Sequence, residues 1–267
     1  MLTDPFFKGL RDQVRPLLTW AAGVAFYVAL LISIYPSIRS SAGALQGYID
    51  ELPAAVRAAF LGPSGDFSTP AGYVNTELLS WLAPIVLIAF AVVVASRSLA
   101  GEEEAGTLSL LLTSTVGRRR LALQKYAALV VVVGLLGLAF WLALWVATAV
   151  AGTPIGAGRL AAAIVRLTLL ALAVGSVTYA VGAATGRRQV SIAAGAAAGV
   201  LMYLLNTVAV LSSALSWLRH VSLFYYSGGA APLGKGVDAA GVAVPLVTSA
   251  ALLVVALALF ERRDVRV

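Results

Sequence analysis

The chain has 267 residues, 60% of them hydrophobic and only 12% charged, with a mean hydropathy of +0.93. A soluble domain is about half apolar and a quarter charged, so this balance excludes an ordinary water-soluble fold. The net charge is +7, and with no cysteine in the chain, disulfides, thiolate metal sites and cysteine nucleophiles are excluded.

In chain order, the N-terminal stretch 1–16 comes first. Phe7, Leu10, Val14 and Leu17 fall on one helical face, while Lys8, Arg11, Asp12 and Arg15 fall elsewhere. That pattern predicts an amphipathic helix lying in the membrane interface, with Pro16 turning the chain into the bilayer. Six uninterrupted apolar runs follow, at 17–35, 78–96, 126–151, 167–185, 189–211 and 239–260. At ~1.5 Å per residue, about 19 residues cross the ~30 Å hydrocarbon core. The fold expected is therefore all-α: one transmembrane domain over 1–267, with six spanning helices.

Between the first two runs, Leu45, Ile49, Leu52, Val56 and Phe60 suggest another amphipathic stretch, broken near Pro53. Between the second and third lies GEEEAGTLSLLLTSTVGRRR, residues 101–120. Leu108, Leu111 and Leu112 stand at i, i+3 and i+4, one apolar stripe of a short helix. Glu102, Glu103 and Glu104 are expected at its N-terminal end, where carboxylates suit the helix dipole, with Thr107 as a cap and Arg118 to Arg120 beyond the other end. Gly195 and Gly199 form a GxxxG packing signal in the fifth run. The stretch 212–238 holds Trp217, Phe224, Tyr225 and Tyr226, aromatics that favour a membrane interface.

Basic residues set the expected orientation. Thirteen of the nineteen Lys and Arg lie before the first run, in 97–125, at 187–188 or after the sixth, which are all on one side if the spans alternate. The positive-inside rule makes that side, and both termini, cytoplasmic, in a multi-pass plasma-membrane protein. The same distribution accounts for the positive charge without nucleic acid.

Two motif-like features lead nowhere. Gly229 to Gly236 reads GAAPLGKG, but Gly236 stands where a phosphate-binding loop needs Ser or Thr for magnesium, and no strand precedes it. His220 is the sole histidine, so no histidine cluster is available to a metal. No catalytic or cofactor-binding residues are expected. None of the six apolar runs contains Asp, Glu, Lys, Arg or His, and Glu77 and Arg166 sit at expected span ends. Ion-coupled transporters carry buried ionisable groups on the ion pathway, so any uphill transport here would draw its energy from elsewhere.

The segment 101–125 resembles the permease subunits of type-two ABC exporters, whose pattern is roughly E-x-x-x-GTLE-x-LL-x-TPVSR followed by a lysine. Glu102, Gly106, Thr107, Leu108, Leu111, Leu112, Val116, Arg118 and Lys125 match; Ser109 and Thr115 depart, at an acidic and a proline position. LQGYIDELPAAVRAAFLG and DFSTPAGYV are similar to the family's first outer loop, HVSLFYY to its SPFYY-like segment with Leu223 for proline, and FERRDV to a frequent terminal signature.

The resemblance implies a dimerising permease, paired with a second copy or a homologous permease, that docks two cytoplasmic ABC ATPase subunits. ATP and magnesium would bind those partners and not this chain. The short helix between spans two and three would be the coupling helix, carried by Glu102, Glu103, Glu104, Gly106, Thr107, Leu108, Leu111, Leu112 and Arg118. Phe7, Leu10 and Val14 would belong to the family's elbow helix. A hydrophobic or amphipathic substrate would leave along the permease interface, among membrane lipids. Two other readings stand beside this one: a membrane enzyme acting on lipid-like substrates, and a non-transporting scaffold or sensor.

Overall fold

The structure, a computed structural model, describes residues 5–41, 51, 67, 69–108, 117–229, 231–234, 236 and 238–263. The regular secondary structure among them is helical. Six helices are long and apolar enough to cross a membrane: Pro5–Ser40, Pro70–Glu104, Arg118–Val150, Ala157–Thr185, Arg188–Leu211 and Ala239–Arg262. These are the first to sixth helices below, and each matches one expected apolar run. The second is composite, a short α-helix Pro70–Val74 and a π-helical turn Asn75–Leu79 leading into Leu82–Glu104.

The helices overrun the apolar runs because a helix keeps its hydrogen bonds after its side chains turn polar. The largest difference from expectation is at the N-terminus. Residues 1–16 were expected as a separate interfacial helix ending at Pro16, whereas Pro5–Ser40 is one continuous helix with Pro16 and Pro36 inside it. A proline removes one N–H donor without forcing the helix to stop. At ~1.5 Å per residue this helix is far longer than the ~30 Å apolar core, so part of it must lie beyond that core. Leu10 and Leu17 pack against the bundle, while Phe7 and Val14 are exposed. The expected shared face is thus split between protein and surroundings.

The fourth helix is central, packed against the second, third, fifth and sixth. Its apolar stretch is 72% buried, against 17% for the fifth helix and 22% for the first and sixth. Small residues allow the close approach, as expected where lipid removes the hydrophobic drive between helices. A Cβ on Gly195 would lie 1.9 Å from Thr178 Oγ1 of the fourth helix, and one on Gly137 2.3 Å from Thr168 Oγ1. The Gly195–Gly199 motif therefore packs the fifth helix onto its own bundle. The Tyr126 and Ser176 hydroxyls hydrogen-bond at 2.7 Å, and Tyr179 Oη donates to the Ala122 carbonyl at 2.7 Å, fixing the third helix on the fourth.

Residues 213–238 cap the opposite end of the bundle from the one that holds Pro5 and Arg263, with a 3-10 turn Ser213–His220 and a one-turn helix Leu223–Tyr226. The expected amphipathic stretch with Leu45, Ile49, Leu52, Val56 and Phe60 lies outside the described residues.

Candidate functional site

The acidic triplet Glu102, Glu103 and Glu104 forms the last turn of Leu82–Glu104. This corrects the expectation that it opens the following helix. The dipole at a helix C-terminus disfavours carboxylates, so something must offset them, and each glutamate has a different partner. Glu102 Oε1 accepts from Lys125 Nζ at 2.5 Å, with Lys8 Nζ at 3.9 Å. Glu103 pairs with Arg263 after the sixth helix. Glu104 Oε1 accepts from the backbone N–H of Arg188 at 2.7 Å. That N–H opens the fifth helix, where a carboxylate both satisfies a free donor and meets the positive end of the dipole.

One turn thus ties together the first, third and fifth helices and the end of the sixth. The Glu102 and Glu103 pairs are shielded, Lys125 being 4% exposed and the Glu103 side chain 5%, whereas the Glu104 bond is exposed. Gly186, between the fourth and fifth helices, has φ +63, and a Cβ there would lie 2.2 Å from Arg263 Nη1 and 2.5 Å from Glu103 Oε2. Glycine is required by the backbone and by the ion pair seated over it.

Gly106, at φ +67, ends the turn in the left-handed conformation. Thr107 was expected to cap a new helix with its side chain. Its hydroxyl instead donates to the Glu102 carbonyl at 3.1 Å, closing the helix behind it. Thr107 and Leu108 are themselves helical. Leu108 is fully buried in the chain's own core, so its side chain is not presented to an external partner. In the single chain it anchors the connection to the bundle. Leu111, Leu112 and Val116 lie outside the described residues. Arg118 opens the third helix and donates from Nη1 to the Arg263 carbonyl at 2.8 Å.

At the opposite end, Arg166 is 1% exposed and lies inside the fourth helix, not at a span end as expected. It donates from Nε to the Tyr226 carbonyl at 3.2 Å and from Nη1 to the Gly236 carbonyl at 2.7 Å, with Asp238 Oδ1 at 3.8 Å. A buried cation needs such compensation, and in giving it the 226–238 segment is drawn down onto the bundle. Leu233 N–H, within the GAAPLGKG stretch, donates to Asn75 Oδ1 at 3.2 Å. His220 packs edge-on against Tyr225, centroids 5.3 Å apart.

Between the second and fifth helices runs a cavity of about 750 Å³. Ile85, Ile88, Val92 and Val200 make it apolar, and Asn206 and Thr207 add polar groups toward the 213–238 end.

Lys8, Gly186, Arg188, Arg263 and the tether on Arg166 were not identified from the sequence. Their partners stand up to 160 residues away, and no local spacing announces such pairs. Arg166 carried one usable signal, a lone cation bordered on both sides by apolar residues.

A bundle of six apolar helices, with an ion-paired acidic triplet at one end and a capping segment at the other, defines a multi-pass membrane protein. The profile of the ABC-2 family transporter protein matches residues 6–265, and the chain belongs to that family. No curated protein is a significant match to it.

Proposed function

We propose that this chain is the membrane-spanning permease of an ATP-driven exporter, pairing with a second permease and driven by separate ABC ATPase subunits. In this reading the end carrying the acidic triplet and both termini is cytoplasmic. The 102–118 connection is the coupling element. The observation that carries the proposal is the wiring of that connection. Through Glu102, Glu103 and Glu104 it is bonded to Lys125, Arg263 and the start of the fifth helix, so force applied to it reaches three other helices together.

Leu111 and Leu112 are the apolar anchors offered to the ATPase, while Leu108 fixes the connection to the bundle. Apolar truncations at the centre of an interface typically cost about 1–3 kcal/mol each. Arg119 and Arg120, exposed or partly so at the start of the third helix, orient the encounter and contribute less. The cavity between the second and fifth helices faces the second permease and carries an apolar or amphipathic cargo. The weakly buried fifth helix supports this, since its large apolar side chains Val200, Leu201 and Leu204 are exposed in the single chain.

The test is reconstitution. The chain alone should neither bind nor hydrolyse ATP, whereas the chain purified from its native membrane should bring with it an ABC ATPase whose hydrolysis the permease stimulates. Hydrolysis by the isolated chain would overturn the division of labour.

A further inference from the structure

Where the N-terminal part of the first helix meets the last turns of Leu82–Glu104 and the start of the fifth helix, there is a cavity of about 590 Å³. Among the described residues, seven buried side-chain polar atoms lack a hydrogen-bond partner within the chain. Four of them belong to residues lining this one cavity: Gln13 Oε1, Ser98 Oγ, Glu102 Oε2 and Arg188 Nε. Buried polar atoms in folded proteins are nearly always satisfied, and leaving one unmade costs about 1–3 kcal/mol. Four around one space point to a ligand.

The four atoms define its chemistry. Gln13 Oε1 and Glu102 Oε2 accept, Arg188 Nε donates, and the Ser98 hydroxyl does either. Glu102 already holds Lys125 through Oε1, so its second oxygen is the acceptor left for another cation. Lys8, Arg97 and Lys125 add positive charge to the lining and Asp12 and Glu104 negative charge, so groups of both signs face the space; Arg97 is exposed. The matching ligand therefore carries a hydrogen-bond-donating cation next to an anion. Val94 and Leu129 give the cavity an apolar wall, and it lies where membrane-crossing helices turn polar, the level of lipid headgroups.

We propose that this cavity binds the phosphoethanolamine headgroup of a membrane phospholipid. The primary ammonium is received by Gln13 and Glu102, and the phosphate by Arg188, Ser98, Lys8 and Arg97. A primary ammonium has three N–H donors, whereas a choline headgroup has a cation without donors and a glycerol headgroup has no cation. The proposal requires only a membrane-embedded chain, not the ATPase partner, so failure of the transport reading leaves it standing.

The test is lipid retention by the purified full chain, read by native mass spectrometry. It is delipidated and then offered phosphatidylethanolamine, phosphatidylcholine or phosphatidylglycerol with identical acyl chains, and separately soluble glycerophosphoethanolamine. The wild type should retain phosphatidylethanolamine over phosphatidylcholine by roughly tenfold, the scale of one charge-assisted hydrogen bond. Gln13→Leu and Ser98→Val should each erase most of that preference while the chain stays monodisperse and equally helical. Gln13→Leu nearly conserves volume and Ser98→Val adds one methyl beside an existing cavity, so loss of fold is not the expected route. Equal retention of the three lipids, or a preference untouched by both variants, overturns the proposal and leaves a water-filled cavity. Binding of glycerophosphoethanolamine as tight as that of the lipid overturns the membrane source.

Discussion

At the residue scale, Glu102, Glu103 and Glu104 stand at the helix end where the backbone dipole disfavours negative charge. Their persistence there is explained by partners: an ammonium, a guanidinium and a helix-opening N–H. Lys125→Met would leave the Glu102 carboxylate without its 2.5 Å partner in a shielded place, with the Lys8 ammonium 3.9 Å away. Breaking such a pair from one side costs about 3–5 kcal/mol, whereas replacing both members by apolar groups is often neutral. We therefore expect Lys125→Met to lower the thermal midpoint of the purified chain strongly, and Glu102→Leu added to it to restore most of the loss. A double variant as unstable as the sum of both singles would show that the pair is not coupled. These partners were illegible in the sequence. The run of glutamates is visible, but its bonds reach Lys125, Arg188 and Arg263, and proximity in space leaves no mark in local spacing.

At the element scale, the apolar runs announced the helices and stopped short of several of their edges. Pro16 reads as a stop, yet the first helix runs through it from Pro5 to Ser40. The leucine stripe at 108, 111 and 112 reads the same whether it faces its own bundle or a partner, and burial assigns Leu108 to the bundle. The GxxxG motif announced close packing but not its partner, which is Thr178. Gly195→Ala should destabilise the chain by about 1–3 kcal/mol, the usual cost of overpacking, because its Cβ has nowhere to go. An unchanged thermal midpoint would mean that the fourth and fifth helices separate easily.

The capping segment offers a second test at this scale, because Arg166 holds its carbonyl groups. Ser227 is 1% exposed, so Ser227→Cys in this cysteine-free chain should resist a water-soluble thiol reagent. Adding Arg166→Met should release the 226–238 segment and raise the labelling rate by about tenfold or more. Equal labelling with and without Arg166 would show that the segment is held by its apolar contacts alone.

At the scale of the whole molecule, six spans and family membership were both legible, since each rests on long runs or on a motif that the chain matches at most of its positions. The sidedness, the partners and the cargo belong to the proposed function, which rests on how the parts are joined. Ion pairs gather at one end, a buried arginine draws the chain down at the other, and a cavity lies between the second and fifth helices. In the proposed reading, motion at the acidic triplet reaches several helices at once through these bonds, as a permease driven by a separate ATPase requires.

The most direct measurement of that claim is co-purification of the cognate ABC ATPase with the full chain carrying Leu111→Ala and Leu112→Ala. Leu108→Ala serves as the comparison. The double variant should keep the wild-type thermal midpoint and lose ATPase recruitment by about tenfold or more, as the removal of two interface anchors implies. Leu108→Ala, emptying a core position, should instead lower stability by about 2–5 kcal/mol. Full ATPase recruitment and wild-type transport by the double-leucine variant would contradict the account.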